Sequence, residues 1–336
     1  MRKLSTAWLT TNRNCNNQCS WCYAKNTWHN KCMMEFEKVK ETVDRLYENG
    51  IKRIVLIGGE PTLYPHFFET VEYIRSKNIP VCIPSNGRIF SNINFCKKMA
   101  DAGISSVDIS IKAIDEESYK QSTGVDGFKQ MINGYHNLKN IGIPVIASYV
   151  ITKYDENEFD KLIELLKKED FSPVTIQFVK PTLKLENCEQ IMSILDMGKS
   201  VEYIYNRINN TNIEYRFEIS FPICMIDRGV FEALVKSGRI ANCCQVPKGT
   251  GINFDENFKV IPCNHFAEFP LSDKPVDVKN FNEEVDSILE SELAMKVRQL
   301  SSSYPTVKCQ TCKDWYICGG GCFTRWLSAD PNEYIK

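Results

Sequence analysis

Three cysteines near the start of the chain are separated by three and then two residues. Cys15, Cys19 and Cys22 lie in the run Asn-Cys-Asn-Asn-Gln-Cys-Ser-Trp-Cys-Tyr. Three thiolates on one short loop can bind three irons of a [4Fe-4S] cube and leave the fourth iron without a protein ligand. A structural zinc site is the alternative, although zinc sites favour two separated Cys-x-x-Cys pairs. The spacing therefore predicts an iron-sulfur cluster with one iron open for chemistry.

A second motif, Gly58-Gly59-Glu60-Pro61, directly follows a predicted strand. Two glycines allow backbone to approach a ligand closely, a carboxylate can accept a hydrogen bond from an ammonium group, and proline restricts the turn. Ligands of α/β proteins gather at such strand ends. Polar or ligand-facing candidates at later strand ends are Ser85, Asn86, Ser110, Lys112, Gln177 and Val179. Each of these residues also has an ordinary interpretation, as a turn, a solvated side chain or part of the sheet.

The cysteine loop and the glycine-rich motif together resemble those of the radical S-adenosylmethionine (radical SAM) enzymes, in which an aromatic residue, here Trp21, precedes the last cysteine. The resemblance implies that Cys15, Cys19 and Cys22 hold a [4Fe-4S] cluster whose open iron chelates SAM. It places Gly58, Gly59, Glu60 and Pro61 at the SAM amino group, Ser85 and Asn86 at the ribose, Ser110 and Lys112 at the carboxylate or ribose, and Gln177 and Val179 at the adenine. Reductive cleavage of SAM to a 5′-deoxyadenosyl radical is the implied chemistry.

A second set of cysteines, with the spacing Cys309-x₂-Cys312-x₅-Cys318-x₃-Cys322, lies near the end of the chain. It resembles the terminal signature of the SPASM domain of peptide-modifying radical SAM enzymes, and Cys244 and Cys263 flank the expected upstream hairpin. The resemblance implies an inner auxiliary cluster on Cys244, Cys263 and Cys322, with Cys243 or His265 as candidate fourth ligand. It implies an outer cluster on Cys309, Cys312 and Cys318, for which Asp330 is a candidate fourth ligand; an open fourth position and loss of the site are the alternatives. Structural zinc stays an alternative.

Two details of this region are less regular. Phe258 stands where the hairpin glycine of the family is expected, and Asn257 is predicted to adopt the left-handed conformation instead. Cys224 follows a predicted strand end and is interpreted as a buried thiol, with a cluster ligand or a hydrogen-atom donor as alternatives. The cysteines at positions 32, 82, 96 and 188 are predicted to be small buried hydrophobes. Trp315, Tyr316, Phe323, Arg325 and Trp326 are interpreted as packing around the clusters, with a substrate wall as the alternative.

The elements that position these residues alternate between short β-branched runs and longer amphipathic segments. Strands are predicted at residues 7–11, 53–57, 80–83, 106–111, 145–151 and 174–179, and helices at 36–49, 65–77, 93–102, 128–140 and 156–168. Such βα units predict an α/β fold with a parallel sheet. Periodicity alone also permits an open doubly wound sheet, and the cysteine loop favours the partial (β/α)₆ barrel. We predict a radical SAM barrel over 1–181, a bridge over 182–238 and a SPASM-type domain over 239–336.

The composition restricts the classes of function. The chain has 336 residues, a formal net charge of −1 and 15 cysteines. The charge gives no general field for binding nucleic acid or an anionic membrane. No signal peptide opens the sequence and no apolar run approaches the roughly twenty residues that span a bilayer. We therefore expect a cytoplasmic enzyme whose thiols hold metal in a reducing compartment.

The expected function is a radical SAM oxidoreductase that abstracts hydrogen from a ribosomally synthesised peptide and forms an oxidised cross-link. A low-potential reductant such as flavodoxin or ferredoxin is the implied electron donor. Because the cluster loop begins at residue 15, leader recognition is expected to use the barrel, the bridge or a separate leader-binding protein. The alternatives are a peptide epimerase, a formylglycine-forming enzyme for sulfatases, a small-molecule dehydrogenase and a non-catalytic iron-sulfur electron carrier.

Overall fold

The computed structural model describes residues 4–27, 32–184, 188–242 and 244–335, so Cys243 lies outside the described residues. A single ten-stranded sheet organises the chain. Its strands are β1 (Thr6–Asn12), β2 (Arg53–Gly58), β3 (Val81–Ser85), β4 (Ser106–Ile111), β5 (Val145–Ile151), β6 (Val174–Phe178), β7 (Tyr215–Glu218), β8 (Ile240–Ala241), β9 (Gly251–Phe254) and β10 (Val260–Ile261). The order across the sheet is β10-β9-β1-β2-β3-β4-β5-β6-β7-β8.

Helices connect most of the strands. They are α1 (Phe36–Glu48), α2 (Phe67–Ser76), α3 (Ile93–Ala102), α4 (Glu116–Thr123), α5 (Phe128–Ile141), α6 (Glu156–Lys168), α7 (Ile194–Ile208), α8 (Arg228–Lys236), α9 (Phe281–Glu290), α10 (Glu292–Ser302), α11 (Trp315–Cys318) and α12 (Pro331–Tyr334). Amphipathic spacing explains the long ones. In α6, Asp155 caps the first turn through the Glu158 N–H at 3.1 Å, and Phe159, Leu162 and Leu166 are buried. Each such burial stabilises the fold by about 1.5 to 3 kcal/mol.

Strands β1 to β8 pair in parallel in the order of the sequence, which confirms the predicted α/β fold with a parallel sheet. The six predicted strands agree with β1 to β6 to within two residues at each end. Side chains alternate between the two faces. On β4, Val107 and Ile109 belong to the hydrophobic core, whereas Asp108 and Ser110 occupy the opposite face. We call this second surface of the sheet the polar face.

The sheet passes through all three of the predicted regions of the chain. Strand β7 continues the sheet from β6, and β9 pairs in parallel with β1, with Thr6 opposite Gly251. The hairpin of β9 and β10 is therefore attached directly to the first strand. The predicted boundaries at 182 and 239 stay predictions, and the pairing shows that no break in the sheet accompanies them.

The hairpin turn corrects the prediction for Asn257. Phe258 itself has the positive φ, at 61°, and its side chain is buried beneath the ammonium of Lys38, 4.7 Å from the ring centroid. The strain of a left-handed aromatic residue is of order 1 kcal/mol or more, which burial of the ring offsets. A second correction concerns the scattered cysteines: Cys96 is buried as predicted, but Cys82 is only partly buried and Cys32 is exposed. The Cys188 side chain lies outside the description.

Within the described ranges, no helix combines the length and apolarity needed to cross a membrane.

Candidate functional site

The cysteine loop and the Gly58-Gly59-Glu60 segment are bound together at the ends of β1 and β2. The Gly59 N–H donates to the Asn12 carbonyl at 3.0 Å, and the Glu60 N–H donates to the Asn14 carbonyl at 2.7 Å. A Cβ at Gly59 would lie 2.3 Å from the Asn14 oxygen, and one at Gly58 would lie 2.5 Å from the Asn12 oxygen. Glycine is therefore required here by close approach of two backbones. The backbone of the glycine motif fixes where the cysteine loop begins.

The Glu60 carboxylate is buried and accepts hydrogen bonds from three residues. Its Oε1 accepts from the Thr62 hydroxyl at 2.8 Å and the Ser85 hydroxyl at 2.9 Å, and its Oε2 accepts from the Asn86 N–H at 2.9 Å. Burial raises the pKa of Glu60, and the hydrogen bonds act against that rise. Oε2 retains capacity for another donor, since a carboxylate offers about four acceptor sites. The predicted residues Glu60, Ser85 and Asn86 are thus brought together in one network.

Residues from β3 and α4 hold the other side of the cysteine loop. The Asn86 amide donates to the Asn16 side chain at 2.6 Å, and Arg88 donates to the Asn16 carbonyl at 2.6 Å. The carbonyls of Ser122 and Thr123 accept from the loop N–H groups of Ser20 and Gln18. Sequence reasoning missed both contributions. The signals available were the arginine directly after Ser85-Asn-Gly and the Asp115–Ser118 capping box that starts α4.

The loop presents thiols in a buried environment. Burial raises the pKa of Cys15 to about 12, and Glu60, Cys19 and Cys22 are charged neighbours close enough to raise it further. The Asn17 N–H donates to the Cys15 sulfur at 3.4 Å. A protonated thiol of this kind becomes a thiolate when a metal replaces its proton. Trp21 is half-buried in the same loop. Three thiols beside a buried carboxylate fit the donor set that a cluster of this type requires.

No three His, Cys, Asp or Glu side chains in the described parts of the chain converge as ligands of a single metal ion. A [4Fe-4S] cube requires a wider arrangement, because each thiolate binds a different iron.

The later strand-end candidates occupy or border the polar face. Ser110 and Lys112 are partly exposed at the end of β4, and the Gln177 amide donates to the Ser148 hydroxyl at 3.1 Å. The Val179 carbonyl accepts from Arg325 at 2.7 Å, so its backbone anchors the end of the chain. The structure places these residues on β4 and β6 or directly after them. Their predicted contacts with SAM stay predictions.

Asp108 was missed by the sequence analysis and is the most perturbed carboxyl group of the polar face. Burial raises its pKa to about 7, the carboxylate of Glu218 adds to the rise, and Lys112 and Arg216 oppose it. Its Oδ1 is buried and has no hydrogen-bond partner among the described residues. Perturbed groups of this kind are candidates for a functional site. Alternation of polar and apolar residues along β4 was the signal for it.

The three predicted ligands of the inner auxiliary cluster are electrostatic neighbours. Cys322 and Cys244 both raise the pKa of Cys263, which burial brings to about 12. The partly buried ion pair of Lys180 and Glu218, at 2.8 Å, lies beside them. Burial opposes the charge on both partners, but their attraction outweighs it, raising the pKa of Lys180 and lowering that of Glu218. The fold therefore gathers thiols and a balancing ammonium from distant parts of the chain.

His265 and Tyr23 connect the two cysteine regions. Their rings lie 5.0 Å apart, and the Tyr23 hydroxyl has Cys22, Cys15 and Cys263 as charged neighbours. Burial of the imidazole lowers the pKa of His265 to about 3, with Lys180 and Arg325 adding to the effect. A neutral imidazole is the form that binds metal. His265 therefore fits the chemistry of a fourth inner ligand.

Arg13 reinforces this junction between the regions. Its Nε lies 2.7 Å from a carboxylate oxygen of Glu256 in the hairpin turn, and both side chains are almost fully buried. Arg325 has a similar anchoring role: it donates to the Ser220 carbonyl and hydroxyl, each at 2.7 Å, as well as to Val179. Arg325 thus packs as predicted, while Tyr316 is 81% exposed and packs little. Trp315, Phe323 and Trp326 are partly buried.

The predicted outer ligands are also neighbours, since Cys309 and Cys312 both act on the Cys318 thiol. Cys309 and Cys318 are buried and Cys312 is exposed. The interpretation of Cys224 as a buried thiol is corrected, because the residue as a whole is exposed.

Comparison with known proteins agrees with this geometry. Residues 9–166 match the model of the Radical SAM superfamily. A protein of Metallosphaera sedula named Probable GTP 3′,8-cyclase is 36% identical over 119 residues, which make up 35% of this chain and 37% of that protein. The chain thus spans little more than a third of the length of this curated relative.

Two solved proteins share the fold over nearly the whole chain. Streptococcus suis SuiB bound to S-adenosylmethionine has a TM-score of 0.74 at 16% identity, covering 97% of this chain and 75% of that one. Native anSMEcpe with bound AdoMet and Cp18Cys peptide has a TM-score of 0.72 at 17% identity, covering 94% and 88%. Residues 9–166 are therefore a Radical SAM superfamily domain, and with the cysteine-rich region that follows, the chain has the fold of these two proteins.

Proposed function

We propose that the protein is a radical SAM enzyme that modifies a peptide. The observation that carries the proposal is the arrangement of three cysteine groups around one sheet. The backbone of the first group is hydrogen-bonded to the glycine motif that carries Glu60, and the two C-terminal groups are attached to the sheet through β9 and Arg325. The likeness to anSMEcpe with a bound peptide supports this substrate class. A [4Fe-4S] cluster, when bound on such a loop, supplies the electron that cleaves SAM to methionine and a 5′-deoxyadenosyl radical.

The chain's own residues provide binding and orientation. Cys15, Cys19 and Cys22 would hold the cluster, and the backbone of Gly58 and Gly59 with Oε2 of Glu60 would receive the SAM ammonium. Ser85 and Asn86 lock the Glu60 carboxylate in place through bonds of 2.9 Å. Preorganisation of this kind reduces the cost of orienting the cofactor for reaction.

The polar face provides a surface for the substrate. Asp108 has Glu218, Lys112 and Arg216 as electrostatic neighbours, and the four residues lie on β4, β7 and the loop after β4. A chain of charged groups can orient the polar backbone and side chains of an extended peptide. Among these groups Asp108, with its pKa near 7, is the candidate to take the proton that a substrate carbon or nitrogen loses.

Cross-link formation is the proposed outcome. The substrate gives one hydrogen atom to the 5′-deoxyadenosyl radical, producing 5′-deoxyadenosine, and then loses one proton and one electron as the new bond forms. The C-terminal cysteines, as ligands of auxiliary clusters, would provide the acceptor for that electron. Product mass separates the alternatives, because a cross-link loses two hydrogens whereas epimerisation leaves the mass unchanged and takes up deuterium from solvent.

The second candidate function is cyclisation of GTP, favoured by the name of the 36%-identical relative. That similarity covers 119 residues, so it bears on the radical SAM portion more than on the C-terminal cysteines. The two candidates require different substrates and can be separated directly.

The test is anaerobic reconstitution with iron and sulfide, followed by SAM, dithionite and either GTP or peptides encoded beside the gene. We expect 5′-deoxyadenosine in all reactions and a peptide product lighter by two hydrogens. The C15A/C19A/C22A variant is the negative control, and C32A is the matched cysteine control at an exposed position. A GTP-derived product with unchanged peptides would replace the proposal by the second candidate. Absence of 5′-deoxyadenosine from the intact protein would refute both.

A further inference from the structure

The segment 220–228 runs antiparallel to the segment 314–322, and four contacts fix the alignment. The Cys322 N–H donates to the Ser220 carbonyl at 2.9 Å. Gly321 packs on the backbone of Phe221, where a Cβ would come within 2.7 Å of the Phe221 Cα. The remaining two contacts lie further along the same pair of segments. Residue numbers therefore increase along one segment as they decrease along the other.

The other two contacts bracket Cys224. The Ile223 N–H donates to the Cys318 sulfur, and Arg228 forms an ion pair with Asp314 at 2.5 Å. Position 224 must therefore lie opposite the interval between 314 and 318. That interval contains α11, which ends at Cys318, and the Cys312 carbonyl accepts from the Trp315 N–H at the start of α11 at 3.2 Å. The alignment of the two segments places Cys224 beside the outer cysteines.

Side-chain electrostatics agree with the alignment. The charged neighbours that act on the Cys224 thiol are Cys318, Cys309 and Cys312, in that order of effect. These three residues are the predicted ligands of the outer cluster. The Cys309 N–H and Cys312 N–H are in turn held by the backbone turns of 306–312.

The other candidate for the fourth position, Asp330, offers oxygen instead of sulfur and lies outside this pair of segments. The Asp330 carboxylate caps α12, accepting from the Asn332 N–H at 2.9 Å and the Asn332 amide at 3.0 Å. A cube requires four ligands for a closed site, and thiolate is the preferred one.

We propose that Cys224 is the fourth ligand of the outer cluster, completing a four-cysteine site with Cys309, Cys312 and Cys318. The inference rests on the proposed function, since it takes the outer site to hold a [4Fe-4S] cluster. A cluster with four protein ligands has no open iron, so the outer site exchanges electrons and does not bind substrate. Because Cys224 and Cys312 are both exposed, a cluster held by them would lie near the protein surface, within reach of an electron-transfer partner.

The test compares C224A, C224S and the exposed-cysteine control C32A in the C15A/C19A/C22A background, which removes the first cluster from the count. Iron, acid-labile sulfide and zinc are measured per chain after anaerobic reconstitution, with EPR and Mössbauer spectra and a redox titration. In C224A we expect loss of the outer cluster, or a [3Fe-4S] signal after oxidation. In C224S we expect a cluster with a shifted midpoint potential, and C32A should match the background protein.

A C224A protein with unchanged iron content, spectra and potential would overturn the inference. So would a stoichiometric zinc ion at the outer cysteines. The variant C309A/C312A separates the role of Cys224 from the existence of the outer cluster. If this variant also leaves the iron content unchanged, the outer cluster is absent and this part of the proposed function fails as well. SAM cleavage by C224A in the otherwise intact protein is the control for the first cluster, and production of 5′-deoxyadenosine should persist there.

Discussion

The substitution Gly59→Ala probes the contact on which the first site depends. The added Cβ would meet the Asn14 carbonyl oxygen at 2.3 Å and the Arg13 carbonyl oxygen at 2.6 Å, whereas ordinary contact begins near 3.4 Å. Both obstacles are backbone atoms, so no side-chain rotation relieves them. The cysteine loop and the glycine motif must separate by about 1 Å, a displacement similar to those that overpacking forces on a core.

The cost follows from the bonds that cross this junction. The Gly59 N–H to Asn12 and Glu60 N–H to Asn14 hydrogen bonds, at 3.0 and 2.7 Å, would lengthen or break. At about 0.5 to 1.5 kcal/mol for each bond, plus about 1 to 3 kcal/mol of overpacking, we expect 2 to 6 kcal/mol of destabilisation around the loop. That is enough to compromise cluster loading, since the thiols move with the Asn14 backbone.

The assay is iron content and 5′-deoxyadenosine formation after anaerobic reconstitution, with urea unfolding of the metal-free protein. We expect both loading and SAM cleavage to fall at least tenfold. The control is Gly229→Ala, an exposed position near the start of α8 where the nearest atom to a new Cβ is a side-chain oxygen of Asp227 at 3.2 Å. Full loading and wild-type SAM cleavage by Gly59→Ala would refute the argument from close approach.

Three further predictions concern stability. Arg13→Met removes the ion-pair partner that lies 2.7 Å from the buried Glu256 carboxylate, and it should lower the free energy of unfolding by about 3 to 5 kcal/mol. The double variant with Glu256→Met should recover much of that loss. Urea unfolding of both variants checks this prediction. Asp108 has a folded-state pKa of about 7 against about 4 unfolded, so wild-type stability should fall as the pH rises from about 4 to 7, by up to about 4 kcal/mol. Asp108→Asn should lack that fall, and identical pH profiles for the two proteins would contradict the burial argument. Phe258→Gly should relieve strain at φ 61° yet destabilise by about 2 to 4 kcal/mol, because the buried ring contributes more than the strain costs; a raised thermal midpoint would contradict this.

Sequence patterns were sufficient for the local elements. The alternation of β-branched and amphipathic runs predicted β1 to β6, and Ile93–Ala102 and Glu156–Lys168 were predicted with the observed bounds. These segments bury one face against the sheet, so periodicity carries the information. Helix α4 was missed because it is short and polar, and its signal is the capping box at Asp115 rather than an apolar stripe.

Contacts between distant segments could not be predicted in this way. The pairing of β9 with β1 and the bond from Arg88 to the cysteine loop depend on tertiary packing, which leaves no local trace. Phe258 is an example at a single residue, because tertiary packing decides its backbone conformation. Propensity favours asparagine in the left-handed region, but a buried ring outweighed that preference here. The role of Cys224 required the alignment of two segments about 90 residues apart.

The attachment of β9 to β1 also imposes an order of events during protein synthesis. Strand β1 leaves the ribosome about 245 residues before Gly251, the residue that pairs with Thr6. At 5 to 20 residues per second, one edge of the first strand and the buried Arg13 wait roughly 12 to 50 seconds for their partners. An exposed strand edge invites pairing with other nascent chains over that interval. The nascent chain thus has reason to stay with chaperones until the hairpin emerges.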